Sequence, residues 1–352
     1  MSNYIIFIGS LKKGGAERNA AMLANHLCNQ GHYVKLLMLS PEIAFDLDKR
    51  VERKILGKEK YVFRSLKILH IWFSLFIQVW KVKPRRLITL SRISGILAAL
   101  TMYPKAIVRF DAYPLIGYKK YKEWQFWIFY NFPFVKYVVC PSKELLNDVK
   151  NYFMNSRKLK QIYNPVPLIK DKSVIAFQHE RPYFVVVSRL NRQKNIDQLI
   201  ETFYSSKAYV STDLLILGDG ALRKELEEKI EKMKLGNVVR LLGFIEDPLP
   251  YMKGSIALLN ASLREGFPNV MVECLSVGTP VISSRTKTGP SEIISHGENG
   301  YLFDMGDYNR LKFFIQKITD DAGLLSTLKN KCDVGLDRFS HKKVMADWDK
   351  IL

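Results

Sequence analysis

Short apolar runs alternate with amphipathic stretches along most of this chain. Runs that are apolar or nearly so, such as residues 4–9 (YIIFIG) and 33–39 (YVKLLML), are typical of strands buried on both faces of a parallel sheet. Between them, residues 16–30 place apolar side chains at helical spacing and end before Gly31, a common residue just beyond a helix. The same strand–helix order begins again at residues 182–187 (PYFVVV). The pattern therefore predicts an α/β protein built from two Rossmann-like units.

A proline-rich element separates the two units. Residues 164–167 read Asn-Pro-Val-Pro, and two prolines impose an extended, stiff connection. A chain of 352 residues is also long enough for two domains, each with its own core. We therefore place one domain at residues 1–166 and begin the second at residue 167.

The helix predicted over residues 62–82 is apolar on more than one face. Its large side chains recur at steps of three and four and define one broad stripe: Leu66, Leu69, Trp72, Phe73, Phe76, Ile77 and Trp80. A buried core helix is one interpretation. The other is a helix that dips into a membrane surface, since lysines and arginines flank the aromatic residues. Residues 113–139 also mix aromatics with lysines, which suits lipid headgroups or a groove for a lipid-linked acceptor.

Positive charge is concentrated in the first half of the chain. Residues 1–166 hold 28 Lys and Arg against 10 Asp and Glu, a net +18, whereas residues 167–352 hold 26 against 24, a net +2. Such a surface could attract anionic lipid, a diphosphate-linked acceptor or nucleic acid. No zinc-knuckle, RNA-binding or helix-turn-helix pattern accompanies it, so nucleic acid is the weakest of the three.

Targeting and redox signals are few. The four cysteines lie far apart without a C-x-x-C pair, which indicates neither a disulfide framework nor a zinc site. The apolar run near the N-terminus is too short for a signal peptide, and no uninterrupted apolar stretch is long enough to span a bilayer. We therefore expect a cytoplasmic protein.

Two carboxylates suggest a site for a ligand rich in hydroxyl groups. Gly266 and Pro268 are poor residues for a helix interior, which places Glu265 on a loop, whereas Glu273 falls in the helix predicted from Asn269 onward. Ionised carboxylates on a loop and on the following helix could accept hydrogen bonds from a vicinal diol. The alternative is that both glutamates are ordinary surface charges.

Two further segments favour phosphate binding. Arg189 and Lys194 flank a loop beyond the carboxyl end of a predicted strand, where two cations would neutralise a diphosphate. Gly289 and Pro290 stand where another helix would begin, with free backbone N–H groups. Carboxylates for hydroxyls and cations for a diphosphate together predict a nucleotide sugar as ligand.

The segment EGFPNVMVE (residues 265–273) resembles the Glu-x7-Glu motif of retaining GT-B glycosyltransferases, particularly glycosyltransferase family 4. The sequences GTPVISS, TGPSEII and GENGYLF, which follow in that order, are similar to the same family. The resemblance implies an α/β GT-B fold, in which two Rossmann-like domains face a central cleft. It also implies an N-terminal acceptor-binding domain, a nucleotide-sugar-binding domain over residues 167–337, and a C-terminal helix, residues 338–352, that returns to the first domain.

The resemblance also assigns roles to individual residues. Glu265 would act on the sugar of the donor, Glu273 would contact the ribose hydroxyls, and Phe244 and Ile245 would border the base. Residues predicted to bind the nucleotide sugar are Gly14, Gly15, Arg189, Lys194, Phe244, Ile245, Gly266, Phe267, Pro268, Asn269, Glu273 and Gly289.

One departure from the family concerns a first-domain histidine that assists the reaction in many members. The corresponding segment here is IVRFDAYP, which has Arg109 and Asp111 instead. We predict that Asp111 binds the acceptor hydroxyl and Arg109 a phosphate; a structural ion pair is the alternative.

The sequence favours an enzyme, a retaining glycosyltransferase, that needs no metal ion because no suitable loop carries Asp-x-Asp. We expect a nucleotide-sugar donor, UDP in preference to GDP, and a lipid-linked saccharide acceptor in surface polysaccharide synthesis. The basic half would rest on the anionic inner leaflet of the plasma membrane, with no nucleic-acid partner. The alternatives are a GT-B-type epimerase or hydrolase and a non-catalytic nucleotide-sugar-binding protein.

Overall fold

The computed structural model describes residues 1–12, 14–57, 64–110, 124–169 and 174–352. The chain forms two compact units, one comprising Met1–Pro165 with His341–Leu352 and the other Val166–Ser340. Each unit contains one parallel sheet with helices between its strands. The predicted pair of Rossmann-like α/β units is therefore confirmed.

Within the described residues, the strands of the first unit are β1 (Asn3–Ile8), β2 (Tyr33–Met38), β3 (Glu52–Ile55), β4 (Arg86–Thr89), β5 (Ala106–Arg109), β6 (Val135–Cys140) and β7 (Leu159–Gln161). They pair in the order β3-β2-β1-β4-β5-β6-β7, every pair parallel. The central strands are buried almost throughout because helices cover the sheet, as the apolar runs predict.

The helices described between these strands are α1 (Gly15–Asn29), α2 (Arg64–Val82), α3 (Arg92–Leu100), α4 (Trp124–Asn131) and α5 (Lys143–Val149). Helix α5 is capped at its start, because the Ser142 hydroxyl accepts a hydrogen bond from the Leu145 N–H at 3.1 Å.

In the described part of the second unit the strands are β8 (Tyr183–Val187), β9 (Asp213–Leu217), β10 (Val239–Gly243), β11 (Leu258–Asn260), β12 (Val281–Arg285) and β13 (Gly300–Asp304). They pair in parallel in the order β10-β9-β8-β11-β12-β13. The helices of this unit are α6 (Ile196–Ser205), α7 (Arg223–Lys232), α8 (Leu249–Gly254), α9 (Asn269–Ser276), α10 (Pro290–Ile293), α11 (Tyr308–Asp320) and α12 (Ala322–Lys329).

The last helix, α13 (His341–Asp349), packs in the first unit. Its side chains Met345 and Trp348 are buried in the core formed by β1, β2 and α1. The guanidinium of Arg85 donates from Nε to the carbonyl of Leu352 at 2.9 Å, which fastens the C-terminus beside β4.

The face of α2 that packs in the core is not the stripe predicted from the sequence. Ile71, Leu75 and Val79 form its buried face. Five side chains of the predicted stripe are instead 40–58% exposed: Leu66, Leu69, Phe73, Ile77 and Trp80. The interpretation of that stripe as core is therefore wrong, because helical periodicity finds apolar faces but does not say which one meets the sheet.

Some elements carry no sequence signal of the kind used above. Strand β3 has the polar sequence ERKI and lies exposed at the sheet edge, where the Glu52 carboxylate meets the Lys35 ammonium at 2.7 Å. Within the parts of the chain that the structure describes, no helix is both long and apolar enough to cross a membrane.

Candidate active site

The predicted ligand-binding residues of the second unit follow the carboxyl ends of neighbouring strands. Lys194 follows β8, Phe244 and Ile245 follow β10, residues 261–269 follow β11, and Gly289 follows β12. Because the strands are parallel, these ends share one edge of the sheet. The strand order reverses between β8 and β11, and doubly wound sheets bind their ligands at such a switch point.

A lysine–carboxylate pair lies at this switch point. The Lys194 ammonium is 2.6 Å from Glu265 Oε1, and the two side chains are 14% and 8% exposed. Lys194 ends a short turn that begins at Asn191, whose side chain accepts a hydrogen bond from the Lys194 N–H at 3.2 Å. A charged pair with so little solvent contact is held in one geometry by its surroundings.

Three further polar residues hold this pair in place. The Asn260 amide lies 3.4 Å from Glu265 Oε1, and the Thr288 hydroxyl donates to the Glu265 carbonyl at 2.7 Å. The Gln193 amide donates to the carbonyl of Arg264 at 2.9 Å, so the two loops are joined beside the ion pair. None of these three residues belongs to a sequence motif that would single it out, because each meets the pair only after distant loops come together.

The glycine turn after β9 packs against the loop after β8. Gly218 has φ +140°, and a Cβ there would lie 1.8 Å from the carbonyl oxygen of Ser188. The Leu190 N–H donates to the carbonyl of Asp219 at 3.0 Å. This turn therefore supports the segment that leads to Lys194, a structural reason for the Gly-Asp-Gly sequence.

Gly289 lies against the loop that carries Glu265. Its φ is +99°, and an added Cβ would meet Pro268 Cδ at 2.7 Å and the Gly266 carbonyl oxygen at 3.1 Å. Phe267 is buried in the same loop and packs its ring against Phe339, with centroids 5.3 Å apart. Helix α10, which follows Gly289, has only four residues, and phosphate binding at its start stays a prediction.

The second carboxylate is confirmed to lie on a helix. Asn269 begins α9 and Glu273 is half-buried on it, whereas Glu265 precedes the helix on a loop. The adjacent Cys274 is fully buried, and burial raises the pKa of its thiol well above the ordinary value. A thiol held protonated in this way is a poor nucleophile, so Cys274 belongs to the core of the unit.

Two other predicted contacts lie at the surface of the same unit. Arg189 is exposed just beyond β8, and Phe244 is 53% exposed just beyond β10, next to the partly buried Ile245. An exposed cation and an exposed aromatic ring on one sheet edge suit a nucleotide, although their contacts with a ligand remain predictions.

The remaining predicted residues belong to the first unit. Gly14 precedes α1, and Gly15 begins it. Arg109 ends β5 at 2% exposure and donates from its guanidinium to the side-chain oxygen of Asn164, which also accepts from the Asn19 amide at 2.9 Å. Asp111 lies outside the described residues, and the predicted acceptor roles of Arg109 and Asp111 stay predictions. Among the residues the structure describes, no three His, Cys, Asp or Glu side chains cluster as metal ligands.

Two doubly wound units, the second with a lysine–carboxylate pair at its switch point, are the architecture of a nucleotide-binding α/β enzyme. The chain belongs to the glycosyltransferases: residues 13–170 match the family described as Glycosyltransferase Family 4, and residues 169–332 match Glycosyl transferases group 1. The predicted family and the predicted enzyme class are confirmed.

Similar proteins include bacterial glycosyltransferases that match over all or part of the chain. An N-acetylgalactosamine-N,N'-diacetylbacillosaminyl-diphospho-undecaprenol 4-alpha-N-acetylgalactosaminyltransferase of Campylobacter jejuni is 28% identical over 369 residues, covering 99% of this chain and 98% of the relative. Lipopolysaccharide 1,6-galactosyltransferase of Escherichia coli is 28% identical over 228 residues, covering 61% of this chain and 59% of the relative.

Solved structures share the fold at low identity. Anabaena HepE in complex with UDP and glucose superimposes with a TM-score of 0.83 at 16% identity and covers 100% of both chains. The lipopolysaccharide outer core galactosyltransferase WaaB in its apo form gives a TM-score of 0.76 at 18% identity, covering 100% of this chain and 99% of that one. The GT-B fold expected from the sequence is confirmed.

Proposed function

We propose that this protein is a retaining glycosyltransferase that moves a hexose or N-acetylhexosamine from a UDP-sugar to a membrane-associated, lipid-linked saccharide in surface polysaccharide synthesis. The observation that carries the proposal is the buried pair of Lys194 and Glu265 at the switch point of the second unit. The pair puts a cation, which can bind a diphosphate, next to a carboxylate, which can bind the hydroxyls of a sugar.

In this proposal the ammonium of Lys194 serves two partners. It has three N–H donors, of which Glu265 Oε1 uses one, so a phosphate oxygen can bind without breaking the pair. When the bond between sugar and diphosphate breaks, negative charge grows on the leaving phosphate. Lys194 and the exposed Arg189 would stabilise that charge, and no metal ion would be needed.

Glu265 would hold the sugar. The contacts from Lys194 and Asn260 both go to Oε1, so Oε2 is placed to accept hydrogen bonds from the hydroxyls of the donor sugar. Glu273, eight positions later on α9, would accept from the ribose hydroxyls. A retaining outcome follows from the family resemblance.

The proposed acceptor rests on different support. The Campylobacter jejuni relative, which matches over nearly the whole chain, is named for an acceptor linked to diphospho-undecaprenol. The net +18 of residues 1–166 suits both such a diphosphate and an anionic bilayer. We place the enzyme at the cytoplasmic face of the membrane, where nucleotide sugars are made.

Thermal-shift screening tests the donor. Without added metal and with EDTA present, UDP and UDP-sugars should raise the melting temperature more than GDP, ADP or CDP at equal concentration, because a ligand of the folded state stabilises it. Lys194→Ala should abolish most of the shift, whereas Lys232→Ala, which removes a lysine from α7, should leave it intact.

Turnover then tests the reaction. The enzyme with the shifting UDP-sugar should transfer sugar to an undecaprenyl-diphosphate saccharide, and nuclear magnetic resonance of the product should show that the anomeric configuration is kept. Release of free sugar or an isomerised nucleotide sugar, with no product on the acceptor, would replace the proposal by the hydrolase or epimerase alternative.

A further inference from the structure

An exposed apolar stripe runs along one face of α2. It consists of Leu66, Leu69, Phe73, Ile77 and Trp80, each 40–58% exposed, and we call it the α2 stripe. These positions are spaced three or four residues apart, so at 100° per residue they lie on one side of the helix. A monomeric protein rarely leaves so many large apolar side chains together at its surface without a partner.

The helix itself is firmly attached to the first unit through its other face. Ile71, Leu75 and Val79 are buried in the core beneath the sheet. Trp80, at the end of the stripe, donates its indole N–H to the Thr101 carbonyl at 3.0 Å and packs edge-on against Tyr103. The stripe is thus a surface of a docked helix, presented in a fixed orientation.

Aromatic rings follow the border between the buried face and the stripe. Trp72, Phe76 and Trp80 follow one another along the helix with ring centroids 5.8 and 5.9 Å apart and ring planes tilted by 41° and 40°. Met102, 50% exposed, adjoins the carbonyl that Trp80 binds and extends the apolar surface. Tryptophan bordering an apolar face is typical of segments that lie at a membrane–water interface.

We propose that the α2 stripe is the surface by which this protein inserts into an anionic bilayer. This proposal rests on the proposed function only for the reason why a membrane is needed. Charge decides between a bilayer and other occupants. The stripe belongs to the half of the chain with a net charge of +18, and Lys67 and Lys81 are exposed on α2 itself. Their stems can lie along apolar surface while their ammonium groups reach lipid phosphates.

A second copy of the chain fits less well. An isologous dimer through the stripe would bring two cationic helices together. Five half-exposed side chains present on the order of 400 Å², below the ~800 Å² per partner of a stable interface. A bilayer has no such area requirement, because a helix lying in the interface needs only its apolar face buried.

Vesicle binding provides the first test. The double variant Leu69→Ser/Phe73→Ser should lower binding to vesicles of phosphatidylcholine and phosphatidylglycerol at least tenfold. The matched control Phe313→Ser/Val334→Ser, which removes two exposed apolar side chains of the second unit, should bind as the unaltered protein does. Equal binding by both double variants would overturn the proposal.

A fluorescent label provides the second test and separates insertion from electrostatic adsorption. All four native cysteines are buried, so a single introduced cysteine can be labelled selectively. A nitrobenzoxadiazole group at Phe73→Cys should shift to the blue on anionic vesicles and be quenched by lipids brominated in their acyl chains, while the same group at Phe313→Cys should not. An unshifted label at position 73, or light scattering that shows a dimer lost in Leu69→Ser/Phe73→Ser, would overturn it.

The outcome is distinguishable from failure of the proposed function. UDP thermal shifts should be unchanged in Leu69→Ser/Phe73→Ser, because the stripe lies outside the unit that contains Lys194 and Glu265. If the stripe governs vesicle binding while no sugar is transferred, the proposed function fails and the docking surface stands. If transfer succeeds while vesicle binding ignores the stripe, the reverse holds.

Discussion

Lys194 and Glu265 are 71 positions apart in sequence, and their charged atoms are 2.6 Å apart. Each follows a different strand, β8 and β11, which are neighbours in the sheet. Both side chains are largely buried, so their attraction is weakly screened and the loss of either charge leaves the other inside the protein. The pair therefore couples the stability of the second unit to its ligand-binding edge.

A double-mutant cycle measures this coupling. Glu265→Gln and Lys194→Met should each lower the free energy of unfolding of the second unit by about 1–3 kcal/mol. The double variant should lose less than the sum of the two, because neither charge is then left unpaired. Urea denaturation followed by circular dichroism gives the values.

Tryptophan fluorescence supplies the control for that cycle. All five tryptophans, at positions 72, 80, 124, 127 and 348, fall within the residue ranges of the first unit, so their emission follows that unit. The urea midpoint that tryptophan emission reports should be unaffected by either substitution. Strictly additive losses would show that the two side chains do not interact in solution.

Gly289→Ala should destabilise the second unit by about 2–4 kcal/mol, because it combines backbone strain with a steric clash. Gly278 is the matched control: its φ is +81°, and a Cβ there would meet nothing within 4 Å, whereas at Gly289 it would meet Pro268 Cδ at 2.7 Å. Gly278→Ala should therefore cost only the strain, about 1 kcal/mol. Thermal melting by circular dichroism compares them, and equal losses would contradict the clash.

His296 makes the second unit sensitive to acid. Burial, followed by the nearby Arg285 and Arg310, holds the pKa of His296 below its usual value, and its Nδ1 accepts a hydrogen bond from the Leu302 N–H at 3.0 Å. The unfolded chain therefore binds a proton at higher pH than the folded chain does. Stability from neutral His296 is present above the unfolded pKa of about 6.5 and is lost as pH falls below it.

His296→Asn tests this sign, because asparagine can still accept from Leu302 but does not titrate. The fall in melting temperature between pH 7.5 and pH 5 should be smaller in the variant than in the unaltered protein, measured by circular dichroism at several pH values. An identical fall in both would assign the acid sensitivity to other groups.

Arg109 is the predicted phosphate contact whose structural surroundings are clearest. Its buried guanidinium donates to Asn164, so Arg109→Gln should destabilise the first unit by about 1–3 kcal/mol, visible in tryptophan fluorescence. If Arg109 also binds a phosphate of the acceptor, Arg109→Gln should lower kcat/KM for the acceptor at least tenfold. Asn164→Ala, which removes only the partner, should lower stability alone. Equal activity losses in both variants would assign Arg109 a structural role.

Much of the fold could be predicted from sequence because its signals are local. A strand buried on both faces is mainly apolar, so β1, β2 and β8 are visible as short apolar runs. Strand β3 was invisible because an exposed edge strand carries no such constraint. The position of Glu265 on a loop and of Glu273 on a helix followed in the same way, from glycine and proline in one segment and apolar periodicity in the next.

The sequence by itself determined most of the buried strands and the helices between them, that the positive charge lies in the first half, and which family supplies the site motifs. Only the tertiary structure decided which face of α2 is buried, and it left the predicted stripe exposed. It alone brought Lys194 to Glu265, with Asn260 and Thr288 beside them. The reason is physical: periodicity and turn chemistry act between neighbours in sequence, whereas burial and ion pairing depend on which strands become neighbours in space.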